Sequence, residues 1–272
     1  MLFSLLCPAQ VIQVMNSLLL EKSLVVICAD SGTASVVATA CSFLIQPFRW
    51  EGVLIPLLPT GAEEVLHAPV PYILGVDKLK KDELPFAKST MVLQLEYIPP
   101  DTTARCLHPP PTESTWNNQP DSSLPVKVTL RPPVDLRDGE ELPLHTDLRE
   151  RLDALPVTEL RALFRASSGL TSFLLDTATR MSALSKERIT DISRAIALYN
   201  TQLLGDLRGP GAEWQRYGTY DKATGDYSFK SDWFMNPKFA WVNFQNKVAS
   251  SQLFVSYVDR LRVGYLKKEP YR

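Results

Sequence analysis

Cysteine and histidine are scarce in this chain, and their scarcity removes several chemistries at once. The four cysteines, Cys7, Cys28, Cys41 and Cys106, form no C-x-x-C pair, so the common zinc and dithiol spacings are absent. Cys28 and Cys41 sit in apolar segments, where a reduced thiol behaves as a small hydrophobe. No Asn-x-Ser/Thr acceptor occurs, in line with reduced thiols and a cytoplasmic chain. His67, His108 and His145 are far apart and no H-E-x-x-H exists, so no metal site is expected.

Glycine is thin as well. The turn Ala29-Asp30-Ser31-Gly32-Thr33 lies between an apolar run and an uncharged helical stretch, a place where free amides can receive an anion. It holds one glycine, with neither G-x-x-x-x-G-K-[ST] nor G-x-G-x-x-G around it. A nucleotide cradle is not supported, and no cofactor is expected. There is no G-x-S-x-G elbow. Glu63-Glu64, Asp82-Glu83 and Glu140-Glu141 are adjacent pairs in polar segments, with nothing apolar about them to raise the pKa of one carboxyl for acid–base work. No catalytic residue is assigned.

Net charge of one sign is also missing. The formal value is −1, so neither nucleic acid nor an acidic membrane surface is demanded. Residues 1–76 carry two basic and five acidic groups, whereas residues 147–272 carry nineteen and fourteen. Residues 1–20 hold no charge at all. They lack the basic flank of a signal peptide, and Pro8, Gln10, Gln13 and Asn16 interrupt the run, which argues against a membrane span. Val11, Ile12, Met15, Leu18 and Leu19 instead share one helical face, the mark of a core-facing helix.

What is present is an alternation of strands and helices. Leu24 to Ala29 is a continuous apolar run suited to a strand buried on both faces. Residues 33–46 read as a helix, 53–55, 72–74 and 91–97 as strands, and 63–67 as a short helix. This pattern predicts an α/β layer on a largely parallel sheet, within a lobe spanning 1–98. Residues 99–146 form a proline-rich loop, with ten of the 21 prolines between Pro99 and Pro143 and a returning strand near 126–130. Residues 147–272 turn helical. A long amphipathic helix is expected over 186–204, capped by Ser185, then an aromatic loop or hairpin over 214–229. Phe254, Tyr257, Val258 and Leu261 give the last helix its apolar stripe.

The stretch from Leu24 to Val76 resembles the central part of a DENN domain. The resemblance rests on "LLLEKSLVVICAD", the uncharged helix, "PFRWEGVLIPLLP" at 47–59 and "HAPVPYILGV" at 67–76, in fixed order. "SDWFMNPKFAWVNFQNKVASSQLFVSYVDRLR" at 231–262 is similar to the family's downstream helical part. The resemblance implies a mixed sheet flanked by helices and followed by an all-helical subdomain. It also implies guanine-nucleotide exchange on a Rab-type small GTPase, without covalent chemistry, in membrane trafficking and vesicle transport. Work at the cytoplasmic face of vesicle or endosomal membranes, by peripheral association, goes with it. Such factors carry an N-terminal longin-like module, which this sequence lacks, so that lobe is expected in cis in a longer protein or in trans on a separate chain.

Asp30, Ser31, Arg49, Trp50, Glu51 and Pro71 are the candidate GTPase-binding residues, because they lie in loops at strand or helix ends. Phe48, Leu54 and Leu57 read as structural, while Arg49 and Trp50 suit either packing or contact. Two other readings stand beside exchange: a non-catalytic DENN-type scaffold binding a GTPase or trafficking protein, and a small-molecule enzyme on a doubly wound sheet.

Overall fold

A computed structural model describes residues 2–77, 87–97, 126–133, 193–197, 218–220, 227–229 and 242–268, with single residues at Thr190, Asn200 and Ala223. Two helices open the chain, α1 (Leu2–Leu5) and α2 (Pro8–Leu19). Val11, Ile12, Met15, Leu18 and Leu19 of α2 are all buried, as their helical spacing requires. Strand β1 (Leu24–Cys28) leads into α3 (Ser31–Ser42), which starts on Asp30 as its cap and tightens into a 3-10 turn at Phe43–Ile45. Then come β2 (Val53–Ile55), a 3-10 turn at Glu63–His67, β3 (Tyr72–Asp77), β4 (Met91–Tyr97) and β5 (Val126–Arg131).

These five strands form one mixed sheet in the order β2-β3-β1-β4-β5. The first four run parallel, and β5 returns antiparallel against β4 along the edge. All five residues of β1 are buried because the strand is central and both faces are covered. Leu24, Val26 and Cys28 pack with the helices, while Val25 and Ile27 pack on the other face with Leu58, Leu66, Tyr72, Leu74 and Val76. Each such aliphatic side chain contributes roughly 1.5–3 kcal/mol by leaving water. On β5, Val128 and Leu130 join the core of the helical face, whereas Lys127, Thr129 and Arg131 are exposed.

Downstream, β6 (Gly218–Tyr220) and β7 (Tyr227–Phe229) pair antiparallel within the aromatic stretch. Helices α4 (Val242–Ala249) and α5 (Gln252–Lys268) follow. Of the helix expected over 186–204, Thr190, residues 193–197 and Asn200 are helical, and Ala195, Ile196 and Asn200 are buried. Ser185, the proline-rich loop apart from 126–133, Cys106, His108, His145 and the basic run at 78–81 lie outside the described residues. Phe244, Val248, Leu253, Phe254, Tyr257 and Val258 of α4 and α5 join the same core cluster as α2 and α3. The downstream helices therefore share the core on the helical side of the sheet.

Candidate functional site

The corner after α3 is built by the residues that hold its chain reversal. The 3-10 turn ends at Ile45, and the Gln46–Pro47 peptide bond is cis. Phe48 N–H donates to Ile45 O at 2.9 Å, and the Phe48 ring is 2% exposed. Asn200 fastens the approach, its amide nitrogen donating to Leu44 O at 3.0 Å and Gln46 O at 2.6 Å. Trp50 is half-buried against the core, and its indole N–H donates to Val53 O at 3.1 Å. Arg49 between them is exposed. Gly52 closes the corner, since a Cβ there would lie 2.2 Å from Pro71 O. Pro71 O also accepts from Val53 N–H at 2.9 Å, which joins the entries to β2 and β3.

Helix α5 runs along this corner. Tyr257 meets Phe48 edge to face, with ring centroids 5.1 Å apart and planes at 71°, a geometry that aromatic quadrupoles favour. One turn on, Arg260 Nη1 donates to Glu51 Oε1 at 2.8 Å. Both partners are about a third exposed, so screening limits this ion pair to at most about 1 kcal/mol. At the start of α5, Glu21 receives the Gln252 and Leu253 amides on its two carboxylate oxygens at 3.1 and 2.8 Å. An anion there satisfies orphan donors and complements the helix dipole.

Glu21 does this from an unusual backbone. Its φ is 54°, in the left-handed region that favours glycine. Glu21 N–H donates to Leu18 O and Lys22 N–H to Ser17 O, each at 3.0 Å, the paired bonds of a Schellman termination of α2. A glycine would fit the backbone better, and a carboxylate is what α5 needs. Glu21→Ala, which keeps the backbone penalty and removes the cap, is expected to lower stability by about 1–2 kcal/mol. Glu21→Gly should cost less than that, because it relieves the backbone as it loses the cap. Urea unfolding of the two variants checks the order.

Asp30 and Ser31 lie elsewhere. They follow the carboxyl end of β1, whereas Arg49, Trp50, Glu51 and Pro71 lie at the amino ends of β2 and β3, which run parallel to β1. A five-residue strand separates the two groups by about 16 Å. The structure brings four of the six candidates into one corner and leaves two at the opposite end of the sheet. Asp30 is engaged there, its carboxylate accepting from Thr33 N–H at 2.7 Å and from the Thr33 hydroxyl. Cys28 lies in register with Asp77 at that end. Burial pushes its thiol up, and the Asp30 and Asp77 carboxylates add to that. Such an acidic strand end is poor company for a phosphate. Leu54 and Leu57, expected to be structural, are 38% and 39% exposed on and just after the edge strand.

The second buried thiol gives a pH expectation. Burial pushes Cys41 up to about 12 from 9.0. The unfolded chain then loses this proton near pH 9 while the folded chain keeps it, so stability falls as pH rises from 9 towards 12. In native protein near pH 8, a thiol reagent should label exposed Cys7 and leave Cys41 untouched until unfolding. Mass mapping of the labelled peptides reads this directly.

The same front lobe carries the match to known proteins. Residues 1–96 match the model of the DENN (AEX-3) domain. The DENN match runs from α1 to the penultimate residue of β4, so it contains the corner and ends before α4 and α5. DENN domain-containing protein 2B of mouse, like its human counterpart, is 33% identical over 96 residues, 34% of this chain and 8% of the relative. Mouse DENN domain-containing protein 2A is 35% identical over 75 residues, 28% of this chain and 8% of that protein. The chain thus matches only a small part of these DENN relatives. Among the described residues, no group of three or more His, Cys, Asp or Glu could hold a metal, and no helix is long and apolar enough to cross a membrane.

Sequence reasoning missed Glu21, Asn200 and Arg260, all of which join segments more than 150 positions apart. No local periodicity announces such contacts. Tyr257 was legible only as part of the α5 stripe, and its ring partner was not.

Proposed function

We propose that the chain carries the DENN portion of a guanine-nucleotide exchange factor for a Rab-type small GTPase. The observation behind this reading is the DENN match over 1–96, inside which an exposed arginine sits on a corner held from several sides. Exchange of this kind needs no covalent chemistry. The factor binds the switch regions better in their nucleotide-free arrangement than in the GDP-bound one, and that differential affinity speeds release. Arg49 supplies a cation and Trp50 a partly exposed aromatic surface, residue types common at the energetic centres of protein contacts. A longin-like module, in cis or in trans, completes the GTPase seat, and the work takes place at the cytoplasmic face of a membrane.

One observation favours the scaffold reading. Phe48 and Glu51, on either side of Arg49 and Trp50, are engaged by α5, so much of the motif holds the fold together. A scaffold would bind a GTPase without hastening release. The deciding experiment measures fluorescent GDP release from a panel of purified Rab proteins, with the full chain alone and joined to a longin-like module. Faster release from one Rab is the expected result. Binding without acceleration in either form would shift the assignment to the scaffold.

A further inference from the structure

We propose that Arg260 is a positioning residue, acting through Glu51 to fix the corner that presents Arg49 to an acidic group on the GTPase; this rests on the exchange reading above. Leu253, Tyr257 and Arg260 recur at steps of four and three, so they share one face of α5. The Leu253 backbone N–H donates to Glu21 at the helix start, and along that face the Tyr257 and Arg260 side chains meet Phe48 and Glu51. The last two flank Arg49 and Trp50 in sequence, so the intervening backbone is tethered at both ends. Trp50 is further held by its bond to Val53 O. Arg49 is the exposed cation of the segment.

The charges make the presentation specific. Arg260 neutralises Glu51 at 2.8 Å, so among the described residues Arg49 is left as the uncompensated charge of the corner. Its complement is a carboxylate on the partner. Arg260 is committed to the corner through Nη1, and its other terminal nitrogen is enclosed and without a partner among the described residues. It is therefore placed to hold the corner rather than to touch the GTPase. Releasing the tether spreads the corner over more conformers, and the binding-competent fraction falls. Affinity for the GTPase drops, while the release rate at saturation stays the same.

The test uses the full chain labelled with 5-fluorotryptophan, with the Trp50 resonance assigned from Trp50→Phe. Arg260→Ala, Arg260→Lys and the exchanged pair Glu51→Arg with Arg260→Glu are compared. Each is assayed for release of fluorescent GDP from the Rab that the parent chain accelerates most. Arg260→Ala should raise the half-saturating concentration about three- to fivefold, the range of a partly exposed ion pair, and displace the Trp50 line. The lysine and exchanged variants should bring both readings back towards the parent. An unmoved Trp50 line in Arg260→Ala, or no recovery in the exchanged pair, overturns the proposal. If no Rab responds to the parent chain, the exchange reading fails separately. The Trp50 line alone then decides whether Arg260 positions the corner. Should Arg260→Ala fail to fold, the lysine and exchanged variants carry the same comparison.

Discussion

Gly75→Ala is expected to lower stability by about 3 kcal/mol or more, and the melting temperature by roughly 6–12 °C. Gly75 lies in β3 beneath α3, where a Cβ would come within 2.0 Å of Pro56 O and 3.1 Å of the Ala34 carbonyl. Both obstacles are backbone, so no rotamer change relieves them. Leu58 N–H also donates to Gly75 O at 2.8 Å, which ties the loop after β2 to this strand and prevents it from drifting away. The overlap has to be met by moving α3 or by breaking that tie. Gly61→Ala is the informative control. Gly61 has a φ of 86° and open space around the missing Cβ, so alanine there costs backbone strain alone, about 1 kcal/mol. Thermal unfolding of both variants separates overlap from strain. Equal losses would show that the close approach at Gly75 is not what requires glycine.

The second large effect divides the corner into packing and contact. Phe48→Ala removes a ring that is 2% exposed and faces Tyr257, and about 3–5 kcal/mol should be lost by analogy with other buried aromatics. Arg49→Ala, one residue away, removes an exposed side chain and should leave stability within about 0.5 kcal/mol. If the exchange reading holds, the functional result is reversed in emphasis. Folded Arg49→Ala should bind the GTPase roughly tenfold or more weakly, as truncation of a central interface arginine does. Denaturant unfolding and titration of GTPase binding, run on the same two variants, provide the readings. Unchanged binding by Arg49→Ala would remove the corner from the contact surface.

Most of the sheet was legible in the sequence, for physical reasons that differ between strands. β1 declared itself because a strand covered on both faces needs an unbroken apolar run, and Leu24 to Cys28 supply one. β5 was readable from alternation alone, because it lies at the edge with one face wet. α3 was expected to start at 33 and run to 46, yet it begins at Ser31 and gives way to a 3-10 turn at Phe43. The Asp30 cap sets its start. The candidate site was only half legible. The candidates were read only as loop residues at strand or helix ends, and the parallel strands send Asp30 and Trp50 to opposite ends of the sheet. Glu21 gave no signal at all. A glutamate after an apolar helix looks like ordinary surface charge, and its purpose appears only when α5 is placed above it.

The bond between Glu21 and α5 also sets a timetable. Its two ends are 231 positions apart in the chain, and a ribosome adding about 5–20 residues each second takes roughly 10–50 s to cover that interval. Throughout that time the nascent front lobe has made Phe48 but not the helix whose Tyr257 packs on it. Apolar surface left open for so long attracts other chains as readily as its own. Truncated products ending before Gln252 should therefore be held by chaperones or aggregate. Helix α5 acts as the closing step for the core that the front lobe begins.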